Sequence, residues 1–144
     1  MGKKRHAIIM KMVLFTFLAS LWGLTEISGM AGVCMGNDPD VVLQKQDSGK
    51  EITIKAGQGI QIQLEGLGGT GYWWYVENLD ARRMELLSEK TKSVSDGRVG
   101  GPVLGLWTFR AMEPGTVEIK MDYYRIWEGS AKAIDHFQVR IKVE

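Results

Sequence analysis

The chain is poor in the residues that most protein chemistry needs. It carries a single cysteine, Cys34, so no disulfide can form within it and the fold must be held by its core alone. It has two histidines, His6 and His136, and His6 falls in a segment read below as a removable leader. One histidine and one cysteine cannot supply a zinc site. They also leave no Cys-His or Ser-His-Asp arrangement in view, which argues against an enzyme. Nor does one sign of charge dominate: 18 basic residues stand against 17 acidic ones. A chain this near to neutral is a poor candidate for nucleic acid, which needs a basic face. No internal repeat or low-complexity segment appears, and no stretch has a convincing helical period.

What is present begins with an export-type leader. Lys3, Lys4 and Arg5 precede a mostly apolar run from Ala7 to Leu24, and small residues follow at Ser28, Gly29, Ala31 and Gly32. That order, basic then apolar then small, predicts a secretory signal over residues 1–33. The alternative is an uncleaved anchor, which requires Lys11 to lie near the membrane interface. Cys34 stands just beyond the small residues and is a candidate for lipidation, although Val33 occupies a place where a small residue is expected. The expected product is exported, to a periplasmic or extracellular location, either free or tethered by lipid to the envelope. Without residues 1–33 the chain keeps 14 basic and 16 acidic side chains, a formal charge of −2. Residues 34–40 read as a linker, and residues 41–144 as one domain, long enough to bury a core.

That domain alternates with a period of two. Glu51–Lys55, Ile60–Glu65, Val117–Tyr123 and Phe137–Val143 place apolar residues on one face and polar ones on the other, and Leu104–Arg110 does so in part. Tyr72–Val76 is aromatic and β-branched, as strands favour. Met84–Ser88 fits a helical turn as well, and reads as a strand because its neighbours do. Ala56–Gly59 and Glu113–Gly115 read as turns, and Lys92–Pro102 as a loop. The sum is a single all-β sandwich of seven or eight antiparallel strands.

Three stretches interrupt the alternation. They are Gly68-Gly69-Thr70-Gly71-Tyr72-Trp73-Trp74, Arg98-Val99-Gly100-Gly101-Pro102 and Tyr124-Arg125-Ile126-Trp127-Glu128. A sandwich would gather such turns at one end, giving a binding edge and not an enzyme pocket. Tyr72, Trp74, Trp107 and Phe109 read as core aromatics. Gly100-Gly101 suits either contact or a tight turn. Trp127, between Arg125 and Glu128 and before Gly129, reads as an exposed contact residue, with an Arg125–Glu128 surface pair as the bland alternative. His136 reads as a solvated strand residue.

In this order the three stretches resemble the chagasin-like inhibitors of cysteine peptidases, over roughly residues 40–144. The family's first loop reads Asn-Pro-Thr-Thr-Gly-Tyr, then any residue, then Trp. Thr70, Gly71, Tyr72 and Trp74 match it, whereas Leu67, Gly68 and Gly69 do not. The second, Gly-any-Gly-Gly, keeps Gly100 and Gly101 and has Arg98 at its lead. Trp107-Thr108-Phe109 resembles the Trp-any-Phe strand that follows. The third, Arg-Pro-Trp, keeps Arg125 and Trp127 and has Ile126 in place of Pro.

The resemblance implies an all-β, immunoglobulin-like β-sandwich with Greek-key connections, and a reversible inhibitor that occludes the cleft of a papain-like cysteine peptidase with three loops. It implies Gly68, Gly69, Thr70 and Gly71 in the cleft, with Thr70 nearest the nucleophile, and Arg98, Gly100, Gly101, Arg125 and Trp127 gripping the walls. No cofactor, metal or nucleic acid is implied, and nothing in the chain demands more than a monomer. The glycines at 68 and 69 and the loss of Pro at 126 predict looser loops and weaker inhibition than the full motifs give. The competing reading is a non-inhibitory binding or adhesion module of the cell envelope, because immunoglobulin-like folds carry many functions.

Overall fold

A computed structural model describes residues 38–94 and 101–144. The leader expected over residues 1–33, with Cys34, lies outside the described residues. Eight strands form: β1 (Val41–Gln44), β2 (Glu51–Ile54), β3 (Gly59–Leu67), β4 (Tyr72–Glu77), β5 (Met84–Ser93), β6 (Pro102–Ala111), β7 (Gly115–Arg125) and β8 (Asp135–Val143). Among the described residues the only helical pieces are two three-residue 3₁₀ turns, Lys45–Asp47 and Ser130–Lys132.

The strands make two four-stranded sheets, ordered β1-β3-β6-β5 and β2-β8-β7-β4. Alternation decides which side chains meet between them. Ile60, Ile62 and Leu64 of β3 and Trp107 and Phe109 of β6 are buried against Val117, Ile119 and Met121 of β7 and Phe137, Val139 and Ile141 of β8. Among the described residues no polar or charged residue is buried. Burial of this apolar set is the main term holding the sandwich together, at roughly 25 cal/mol per Å² removed from water.

One expectation needs correction. The sandwich is not wholly antiparallel: β1 runs parallel to β3 and β2 parallel to β8. The turn at Ala56–Gly57 does not close a hairpin, because β2 and β3 belong to opposite sheets. After β1 the chain leaves its sheet, runs through β2 in the other and returns as β3 beside β1, the kind of crossover connection that parallel neighbours need. The remaining four pairings are antiparallel.

The ambiguous segment at Met84 is a strand, paired with β6 from Met84↔Ala111 to Ser93↔Val103. A bulge between Leu86 and Ser88 interrupts it, a common device on an edge strand. β5 also runs on into what reads from sequence as loop, through Lys92 and Ser93. At the linker end, Asp40 is tied into the fold: its N–H donates to Gly59 O at 2.9 Å, and its Oδ2 accepts from Gly59 N at 2.7 Å.

Trp73 has a role that alternation misses. Its ring lies 5.6 Å from that of Trp107, and its Nε1 donates to Glu89 Oε1 at 3.0 Å. Trp73 thus links β4 of one sheet to β5 and β6 of the other. Trp74, the next residue, is buried and donates from Nε1 to Glu65 O of β3 at 2.9 Å. Both neighbours on β4 therefore tie the sheets together, one through each side of the strand.

Candidate peptidase-binding edge

The strand directions place the β3–β4, β5–β6 and β7–β8 connections at the same end of the sandwich. Each expected loop is one of these connections.

The first loop is a tight turn. Thr70 Oγ1 donates to Leu67 O at 2.9 Å and accepts from Tyr72 N at 3.4 Å. Gly69 and Gly71 both have φ +81°, a region that side chains disfavour. A positive φ at the third place of the turn Leu67–Thr70 is what a type II turn requires. The base of the loop is pinned by Leu67 N, which donates to Tyr123 Oη of β7 at 3.0 Å.

Of the second loop, Arg98 and Gly100 lie outside the described residues. Its neck is closed by Val94 N donating to Pro102 O at 3.2 Å. Gly101 is seen beside the first loop: a Cβ on Gly68 would lie 3.1 Å from Gly101 O and 3.3 Å from Val103 Cγ2. The first and second loops are thus in contact at Gly68 and Gly101.

The third loop turns where Glu128 N donates to Arg125 O at 2.8 Å. Ile126 and Trp127 project from it, 63% and 68% exposed. Trp127 leans on the first loop, since a Cβ on Gly71 would fall 2.1 Å from its Cη2. Arg125 faces the first loop as well: Nε donates to Thr70 O at 3.1 Å, and the guanidinium carbon lies 4.5 Å from the Tyr72 ring centre and 5.9 Å from that of Trp127. The expected Arg125–Glu128 pair is also present, at 3.4 Å.

The edge therefore joins Gly68, Gly69, Thr70, Gly71, Gly101, Arg125 and Trp127 in one surface. It is rich in glycine backbone, with aromatic and aliphatic groups exposed. Leu67, Val94, Ile126 and Ile134 are exposed at the same end. Among the described residues no group of His, Cys, Asp and Glu side chains is arranged to hold a metal. His136 is the exposed strand residue its alternation predicts, with a partner that sequence did not suggest: Asp122 Oδ1 lies 2.7 Å from Nδ1. Next to Arg125, Tyr124 sits on the opposite face of β7 and donates to Glu77 Oε1 at 3.2 Å. Burial first, then this carboxylate, raises the Tyr124 phenol above its ordinary value.

Residues 53–141 match the family model described as Chagasin family peptidase inhibitor I42. The chain belongs to the chagasin family. Its members are peptidase inhibitors and not enzymes. Among solved structures, the fold is similar to that of the cysteine protease inhibitor EhICP2 from Entamoeba histolytica, at 23% identity and a TM-score of 0.65, covering 74% of this chain and 100% of that one. It is also similar to Amebosin, at 23% identity and a TM-score of 0.59, with the same coverage of each chain. PbICP-C, solved in complex with falcipain-2, is 19% identical with a TM-score of 0.54, covering 76% of this chain and 95% of that one. These likenesses establish the fold as the chagasin-type, immunoglobulin-like sandwich. No curated protein sequence matches the chain.

Proposed function

We propose that this chagasin-family chain is a reversible inhibitor of papain-like cysteine peptidases that blocks the active-site cleft with the edge described above. The observation that carries the reading is the junction of the first and third family loops, with Gly101 of the second, on one rim where Trp127 is exposed. An exposed tryptophan beside backbone-rich glycine turns is the make-up of an interface hot spot, not of a core. The neighbours add support: EhICP2 is a cysteine protease inhibitor, and PbICP-C was captured with falcipain-2.

In this reading the first loop enters the cleft. Gly71 and Gly69 have no Cβ, so their backbone can come close to the enzyme's catalytic groups. Thr70 lies between them at the apex. Trp127 stacks on one wall, and Arg98, Gly100 and Gly101 meet the other. No bond is made or broken by the inhibitor; occlusion suffices. Residues 1–33 direct export in this reading, supported by their basic, apolar and small-residue order. The inhibitor then acts as a monomer outside the cytoplasm, free or held by a lipid on Cys34.

The test is steady-state inhibition of papain by the full chain beside its Trp127→Ala variant. Reversible inhibition that the variant loses supports the reading. Papain left fully active by micromolar wild-type protein sinks it.

A further inference from the structure

Arg125, like Trp127, joins the third loop to the first, and it does so through hydrogen bonds to both. Its Nε hydrogen is used on Thr70 O of the first loop, and an Nη1 hydrogen is directed to Glu128 of the third. One face of the guanidinium covers the Tyr72 ring at 4.5 Å. Tyr72 is also the residue that faces Arg125 across the β4–β7 ladder. The arginine thus leaves a strand end in register and closes over the loop that begins the neighbouring strand. Each of these contacts is internal to the inhibitor.

The first loop needs such a fastening. Leu67–Thr70 holds two adjacent glycines at 68 and 69, and glycine gives the unbound loop more conformations to lose on binding. Thr70 Oγ1 fixes the loop at its start. The bond from Arg125 fixes it at its apex, through the carbonyl of Thr70, which no residue of the loop itself satisfies.

We propose that Arg125 is a positioning residue that clamps the first loop to the third in the free protein, so that the two present one preorganised edge. Its effect on affinity rests on the inhibitor reading above; the clamp itself does not. The clamp uses the planar fork and face of a guanidinium together with its Nε–H. A lysine retains the charge but has no planar face and no Nε–H in that place. An arginine that served as a charge for the peptidase would be largely replaced by lysine; a clamp would not.

The experiment combines three readouts on the full chain. The first is the wild-type Nε–H resonance of Arg125. Slow solvent exchange and a coupling to the Thr70 carbonyl are expected, whereas exchange as fast as that of Arg82, whose side chain is 83% exposed, would overturn the clamp. The second is ¹⁵N relaxation of the Gly69, Thr70 and Gly71 amides without any peptidase. Arg125→Lys and Arg125→Ala should both raise fast motion there while leaving the Val117–Met121 amides unchanged; rigid loop amides in both variants would overturn it. The third is papain inhibition, which both variants should weaken by roughly tenfold, the scale of one charge-assisted hydrogen bond. A lysine variant within about twofold of wild type, with only the alanine variant impaired, would make Arg125 a charge contact instead. If wild-type protein leaves papain active, the inhibitor reading fails, and the first two readouts still decide the clamp.

Discussion

The indole of Trp127 rests on Gly71, and the fit leaves no room for even one carbon at that glycine: a Cβ would stand 2.1 Å from Cη2. The contact joins the first loop to the third without burying the indole, which stays 68% exposed. It also makes Gly71 necessary twice over, since its φ of +81° already disfavours any side chain.

Gly71→Ala should therefore cost more than Gly69→Ala. Both positions have φ +81°, but nothing lies within 4 Å of a Cβ at Gly69. Each substitution should lose about 1–2 kcal/mol of stability from the backbone alone. Only Gly71→Ala should also displace Trp127 and reduce papain inhibition further. Urea unfolding and inhibition measured on the same two variants give the comparison. Equal loss of inhibition would mean that the Trp127 contact is irrelevant to binding.

Trp107 and Trp127 should separate stability from binding. Trp107 is fully buried, so Trp107→Ala should lose about 3–5 kcal/mol in urea or fail to fold. Trp127→Ala should change stability by about 0.5 kcal/mol or less, as surface changes do, yet weaken papain inhibition by the equivalent of about 2 kcal/mol. A Trp127→Ala protein that unfolds easily would count against the exposed-contact role.

Gly105→Ala tests the core beneath the edge. Gly105 lies on the inner face of β6, where a Cβ would meet Trp107 Cη2 at 2.2 Å. The ring is fully buried, with the Trp73 ring 5.6 Å away. Overpacking should destabilise by about 1–3 kcal/mol. A midpoint in urea equal to wild type would show that Trp107 can repack freely.

Acid should remove the contribution of Asp80. Its hydrogen bond to Arg83, then that from Arg82 N–H, holds the carboxyl below its ordinary value of 3.8. A group whose pKa is depressed on folding stabilises the native state above its unfolded pKa. That stabilisation fades as pH falls below 3.8 toward the lower folded value. Asp80→Asn should therefore flatten the fall in stability between about pH 4 and about pH 2, measured by urea unfolding. An unchanged slope would show that Asp80 titrates as freely in the native state as in the unfolded one.

The loops could be picked out before the sandwich was seen because they break its period. Gly68–Gly71, Gly101 and Arg125–Trp127 all fall where alternation stops. The reading of Trp107 and Phe109 as core rested on the weight aromatics carry in sandwich cores, and both are fully buried. Parity said little about Trp73, because an edge strand lets an outward side chain wrap to the other sheet. Spacing alone could not separate strand from helical turn at Met84. The ladder to β6 decided it, by supplying partners that a lone helical turn would lack.

The parallel placement of β1 and β2 was likewise beyond the sequence, since the same alternation serves a strand running either way. So was the work of Arg125. Its partner Thr70 lies 55 residues away and offers a backbone carbonyl, a group every residue has and no pattern marks. Alternation, turn residues and the three loop motifs determined by themselves the β-sandwich, its core and the chagasin resemblance, because these depend on local period and local chemistry. Strand direction, sheet partners and the locking of one loop by another were decided only by the tertiary structure, because they depend on which distant backbone groups are left to satisfy once the core has closed.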